Sequence, residues 1–382
     1  MHHHHITKFF ILTLITALLL GGCGGSSGGS VSSSAWKVVA TGDTSFHTVA
    51  IKTDGTLWAW GDDSHSQLGD NSATNKTKPT QIGGDSNWSS VATGAYHTVA
   101  IKLDGTLWGW GINQYGQLGD SSATDKLTPA QIGSDNNWMS IAAGFGHTVA
   151  LKSDHTLWAW GNNWYGQLGD GATVEKSSPT QIGGASDWKS VTAGPYHTVA
   201  IKNDGTLWAW GVNWGGQVGD GSADNRLTPT RIGTDTNWSD VVAGGWHTVA
   251  LKSDGTLWGW GINSNGQLGN GTAGGNNWVP TQIGIEADWA HVATGNAHVV
   301  AIKSNGTLWA WGSNYFGQLG DGTVVDKFTP VQVGSGWASL IIGSSSSLAV
   351  KSDGSLWGWG NNSSGQLGDN TTANKQSPVR IN

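Results

Sequence analysis

Residues 194–220 read GPYHTVAIKNDGTLWAWGVNWGGQVGD. HTVAIK and TLWAW are short runs rich in β-branched and aromatic side chains, the composition of strands. Between them lies KNDG, whose Asp-Gly pair supplies the positive φ values that a two-residue connection favours, so the two runs form a hairpin. Close copies recur along the chain. His47, His97, His147, His197, His247 and His298 open equivalent runs, and Ser346 holds that place in SSLAVK. The spacings are 50, 50, 50, 50, 51 and 48 residues, a regularity that identifies a repeat architecture before any local motif is interpreted. His155 replaces the turn glycine in the third copy and Asn305-Gly306 serves in the sixth, so the turn tolerates modest change.

Seven units span residues 36–382, each reading as four short strands: PTQI, WxxVAAG, HTVAIK and TLWAWG. Composition agrees: of 382 residues 60 are Gly and 25 Trp, only 12% are charged, and nothing in this region shows apolar residues at helical spacing. The chain is therefore all-β, and seven four-stranded units suit a seven-bladed β-propeller. The first unit starts at Trp36 without a PTQI strand, and the last ends in SPVRIN. The expectation is that the C-terminal strand joins the N-terminal blade and closes the ring. An open solenoid would instead need polar caps at both ends.

Residues 1–22 place Lys8 before an apolar run, 9–20, that is too short to span a membrane and is followed at once by small residues. This is the pattern of a secretory signal. Cys23 is the sole cysteine and cannot form an internal disulfide; the preceding LGG makes a motif that resembles the lipobox of bacterial lipoproteins, which implies a lipidated Cys23. Residues 23–35 then form a Gly/Ser-rich tether with a reach of roughly 20 Å, and 36–382 the propeller. The expected location is the cell envelope, lipid-anchored, or the cell surface. Gly24, not Asp, follows the Cys, which selects the outer membrane in a Gram-negative cell. Membrane contact is through the lipid anchor only.

A formal net charge of −7 and only three arginines, Arg226, Arg231 and Arg380, exclude the basic stripe that nucleic-acid binding needs. No nucleophile elbow, P-loop, zinc-protease helix motif or dinucleotide fingerprint occurs, so the chain reads as neither an enzyme nor a cofactor binder. The repeated His have no HxH or CxxC companion and read as hydrogen-bonded scaffold, not as metal ligands. Asp120, Asp170, Asp220 and Asp321, each with a second acid at Asp125, Glu175, Asp224 or Asp326, do not match a calcium loop and read as turn formers.

A single site uses a residue once, whereas what recurs in all blades serves each blade. Of the 25 Trp, 21 fall at three repeated positions, exemplified by Trp188, Trp208 and Trp210, where large apolar groups fill the wedges between blades. The hairpin puts the GxxH loop entering one strand and the GxNxxGQ loop leaving the other on one face. Eleven aromatics used irregularly lie there: Phe46, Tyr96, Tyr115, Phe145, Trp164, Tyr165, Tyr196, Trp214, Trp246, Tyr315 and Phe316. Such side chains are suited to partner binding, being large, rigid and partly polar; the other reading is that they fold inward and plug the shaft.

The full pattern, GxxHTVALKxDGTLWAWGxNxxGQLGD, resembles the repeat of the regulator of chromosome condensation family and covers about nine-tenths of the chain. The resemblance implies a seven-bladed propeller. Members of that family use aromatic side chains of these loops at protein interfaces, which implies an unidentified protein or peptide partner. Guanine-nucleotide exchange on a small GTPase, the namesake's activity, is one alternative, although the near-constant period leaves no room for that member's inserted wedge. Carbohydrate binding is the other, because aromatic platforms also stack on sugars.

Overall fold

The computed structural model describes residues 35–42 and 44–382. The expected signal segment 1–22 and the expected tether through residue 34, Cys23 included, lie outside the described residues. Twenty-eight strands, numbered in chain order, form seven four-stranded antiparallel sheets, with no helix among the described residues. The molecule is a seven-bladed β-propeller. Innermost in the first blade is β1 (Trp36–Ala40), followed outward by β2 (His47–Lys52), β3 (Leu57–Gly61) and β4 (Lys76–Gln81).

The expected closure does not occur. The last blade consists of β25 (Trp337–Ile342), β26 (Ser346–Lys351), β27 (Leu356–Gly360) and β28 (Lys375–Arg380), so SPVRIN completes its own blade and not the N-terminal one. The PTQ strand is fourth in its unit, not first. After TLWAWG the chain makes a long excursion and returns to the same strand, pairing Trp58 with Gln81, Ala59 with Thr80 and Gly61 with Lys76. Closure instead repeats the seam found between any two blades. Trp60 Nε1 and Thr48 Oγ1 of the first blade both donate to the Gln366 carbonyl of the last, each at 2.9 Å. Trp110 Nε1 and Thr98 Oγ1 treat Gln67 in the same way, at 2.9 and 2.8 Å. Val39, Ala50 and Trp60 share a core with Ile341, Leu348, Leu367 and Ile381.

The repeated His complete these seams. His47 Nε2 lies 3.0 Å from Thr98 Oγ1 across the blade boundary. Because that hydroxyl donates onward to Gln67, it accepts from the ring, which places a proton on His47 Nε2, and burial keeps the ring neutral. His97, His147 and His197 repeat the contact with Thr148, Thr198 and Thr248, and His298 makes it with Ser347. His247 is the exception: Val299 stands at the threonine position, and neither ring nitrogen has a partner among the described residues. The ring needs a glycine beneath it, since a Cβ on Gly194 would sit 2.5 Å from His197 Cε1.

Two further repeated devices explain the composition. Lys102 Nζ sits 3.8 and 4.7 Å from the ring centroids of Trp108 and Trp88, and pairs with Asp85 at 2.6 Å; cation–π attraction thus ties the inner strand to the hairpin. Pro79, Pro129, Pro179, Pro229, Pro280, Pro330 and Pro378 lie one per blade in the outermost strand. A residue without N–H blunts the exposed edge against pairing with another chain.

Six of the seven outer loops are braced by a buried Asn. Asn113 Oδ1 accepts from Leu118 N at 2.9 Å, while its Nδ2 donates to Asp120 at 3.0 Å and to the Ser122 carbonyl at 3.1 Å. In the first blade Asp63 takes this place and has no amide to offer Asp70. Burial, with the Asp70 charge beside it, pushes the Asp63 carboxyl up to about 6. A carboxyl raised in the folded state costs nothing below its unfolded pKa, and the cost is complete once pH exceeds the folded one. Asp63→Asn is therefore expected to stabilise the protein at pH 7.5 by about 1–3 kcal/mol, with the gain vanishing near about pH 3.5. Urea unfolding at the two pH values checks it; equal stability of both proteins at pH 7.5 would count against the carboxylate clash.

Candidate functional site

The face carrying the aromatic loops is built by repeated residues and decorated by unrepeated ones. In each GxNxxGQ loop the buried Gln side chain turns inward and accepts from the backbone two residues before it. Gln117 Oε1 holds Tyr115 N at 2.9 Å, and Gln167 Oε1 holds Tyr165 N at 3.0 Å. Asn213 Oδ1 likewise accepts from Val218 N at 3.0 Å. With both ends of the loop pinned, the two intervening side chains face outward. The GxxH loop is fastened beside it, as Val212 N donates to the Tyr196 carbonyl at 2.9 Å.

Eight of the eleven aromatics form an arc over the second to fifth blades. Tyr96 meets Phe145 edge-on at 6.2 Å between centroids, Phe145 meets Tyr196 at 5.5 Å, and Tyr196 meets Trp246 at 6.0 Å. A second row lies beside this one. Tyr165 packs edge-on against both Tyr196, at 5.5 Å, and Trp214, at 5.0 Å, and Trp214 stacks at 6.5 Å on Trp246. Tyr115 and Trp164 form an adjoining pair at 5.2 Å. Edge-to-face and offset contacts of this kind hold each ring rigid without burying it. Trp164 and Trp214 remain 53% and 56% exposed, and the other six are half-buried.

The remaining three candidates stand outside the arc. Phe46 has no ring neighbour among the described residues, and Tyr315, 76% exposed, contacts only Phe316 among the aromatic rings. Sequence reasoning missed His65, whose ring lies 4.5 Å from Tyr96 and extends the arc into the first blade. Its position in GDDSHSQLGD, equivalent to Tyr115, was the available signal. The seventh blade carries Ser345, Ser363 and Ser364 at the same loop positions, and the sixth has Ala297 before its His while Tyr315 and Phe316 in its other loop meet only each other among the aromatic rings, so the arc is lopsided. Tyr196, at its centre, has its phenol pKa raised by burial and by Tyr165 and Tyr115; it remains a neutral hydroxyl.

The acids of the outer loops are engaged in bracing. Asp120, Asp170 and Asp321 pair with Lys126, Lys176 and Lys327 at 2.7, 3.4 and 3.3 Å, and Asp220 pairs with Arg226. Among the described residues no group of three His, Cys, Asp or Glu side chains is placed to hold a metal ion.

A profile of the RCC1-like domain matches residues 29–239, and profiles of the regulator of chromosome condensation (RCC1) repeat match 254–302, 305–350 and 353–382, and 238–267 and 289–318. No curated protein matches the chain. Among solved structures, human WBSCR16 is 23% identical with a TM-score of 0.78 over 86% of this chain and 94% of its own. Prp20p from Saccharomyces cerevisiae, described together with its binding to Gsp1p and histones, is 21% identical with a TM-score of 0.78 over 87% of each chain. Yeast RCC1 (Prp20) in complex with Kap60 gives 20% identity and a TM-score of 0.78, over 96% of this chain and 91% of its own. These likenesses are of fold.

Proposed function

The chain belongs to the family of RCC1-like domains, and from that premise we propose that it is a docking module, without catalysis of its own, that binds a protein or peptide through the aromatic arc. The observation that carries this reading is the arc itself: rigid, uncharged rings, with Trp164 and Trp214 more than half exposed. Tryptophan and tyrosine held this way lose little entropy on contact and dominate interface energies. Packing of the ring supplies no reason for them, because the seventh blade folds with Ser345, Ser363 and Ser364 at the same positions. Prp20p, described with protein partners, supports a docking role for a propeller of this shape. We place the module at the cell envelope, tethered through a lipidated Cys23.

The test uses the full chain, tagged and purified in detergent, to capture proteins from solubilised envelope and from culture medium. A protein retained by the parent and lost from a folded Tyr196→Ala, Trp214→Ala, Trp246→Ala variant is the expected result. Equal retention by both, or none by either, overturns the arc as a docking surface. Retention of a small GTPase would favour the exchange reading, and retention abolished by competing free glycans the carbohydrate one. Cys23→Ser should move the protein from the membrane to the soluble fraction, and no change in partition would remove the anchor.

A further inference from the structure

The inner strands of the ring enclose a central shaft of ≈ 730 Å³, within the size range of small-molecule sites. Much of its wall is aliphatic, with Met139, Ala142, Val242, Leu340 and Ile342 among the lining residues. Removing what every blade repeats leaves a few irregular polar residues, and they gather on one side. His155, Lys189 and Asn203 line the shaft. His155 stands where the other six turns have glycine, at φ +63°, with its Nδ1 3.0 Å from the Trp188 carbonyl. A left-handed backbone held by a residue other than glycine is strain that the hairpin itself does not require.

Lys189 lies on β13 (Trp188–Ala193) and Asp240 on the neighbouring β17 (Trp238–Ala243). At the Lys189 position the first blade also has a lysine, Lys37, and the others Ser89, Met139, Ser239, Ala290 and Ala338; at the Asp240 position no other blade has an acid, and Ser90, Ser140, Ser190 and Ser339 stand in four of them. Lys189 Nζ reaches the Ser239 carbonyl at 3.5 Å and makes no ion pair among the described residues. The only hydrogen bond to the Asp240 side chain there comes from Val241 N, at 2.9 Å. Asp240 is half-buried, on an innermost strand covered by its own blade and two neighbours, and its sister residues Ser90 and Ser140 line the shaft. Burial pushes its carboxyl up to about 6 while Lys189 pulls it down, which leaves it ionised at neutral pH. Two opposite charges, adjacent but not bonded to each other, thus stand beside an aliphatic wall.

We propose that the shaft binds a small zwitterion, an α-amino acid or dipeptide with aliphatic side chains, its carboxylate at Lys189 and its ammonium at Asp240. This site is independent of the aromatic arc. Calorimetric titration of the full chain in detergent with leucine and with leucyl-leucine is expected to give saturable binding of at least one. The single-charge analogues 4-methylpentanoate and 3-methylbutylamine should bind at least tenfold more weakly. Lys189→Ser and Asp240→Ser place in these strands the residue that sister blades already fold with, so each should leave the circular dichroism unchanged and weaken binding at least tenfold. Trp214→Ala should have no effect on it. Absence of binding by both zwitterions, equal binding of an analogue, or full affinity in both serine variants overturns the site.

Discussion

Acidification is expected to unfold the ring cooperatively between about pH 6 and 4.5, beginning where ordinary carboxylates are still ionised. Six imidazoles, those of His47, His97, His147, His197, His247 and His298, are fully buried, and burial depresses each to about 3, with neighbouring His rings adding to the effect at several of them. A base depressed in the folded state contributes stability that is complete above its unfolded pKa and lost as pH falls, because the unfolded chain gains protons that the folded one refuses. Asp63 and Asp240, raised to about 6, oppose this by holding protons in the folded state, so the net uptake on unfolding near pH 5 is about four protons. That corresponds to roughly 5 kcal/mol per pH unit, enough to exhaust a typical folding free energy within about two units. Far-UV circular dichroism and tryptophan fluorescence followed from pH 8 downward would show it; an unchanged spectrum at pH 4 would mean that the seams do not depend on neutral histidine.

Trp210→Ala is expected to cost about 3–5 kcal/mol, the usual loss for a large buried aromatic. The side chain is fully buried in the core between the third and fourth blades, and its Nε1 donates to the Gln167 carbonyl at 3.0 Å. Truncation opens a cavity and leaves that carbonyl with only the Thr198 hydroxyl, at 2.8 Å. Trp60→Ala should cost the same, because the seam between the last and first blades has the same construction. Guanidinium unfolding of the two variants compares them. A much smaller loss at Trp60 would show that the ring is closed by something other than this seam.

Much of this architecture was legible in the sequence because a closed ring of identical wedges imposes the same demands seven times. HTVAIK, KxDG and TLWAWG each carry a local physical signal, and their recurrence gives the blade number. Where a unit begins was not legible, since a period has no origin. The PTQ strand pairs with the strand that precedes it across residues 62–75, a connection much longer than most hairpin loops, and only the register Trp58 to Gln81 reveals this. The face bearing the aromatics followed from hairpin geometry. Their grouping did not: loop positions alone cannot tell that Tyr165 reaches Tyr196 across a blade boundary while Phe46 reaches no ring. The shaft residues were the least visible. His155 showed as a break in the turn pattern, but Lys189 and Asp240 acquire meaning only when their strands are seen to line one channel.

The claim that residues repeated in every blade build the ring, and that unrepeated aromatics serve a partner, is tested most directly at Trp214. Its ring is more than half exposed and packs only against Tyr165 and Trp246 among the aromatics, so its removal costs the fold little. The decisive measurement is the binding isotherm of the captured partner on the parent and on Trp214→Ala. A loss of at least about tenfold, with the unfolding midpoint held, is the result this account predicts for an interface hot spot. Affinity unchanged within about twofold, where a hot spot loses far more, would contradict it.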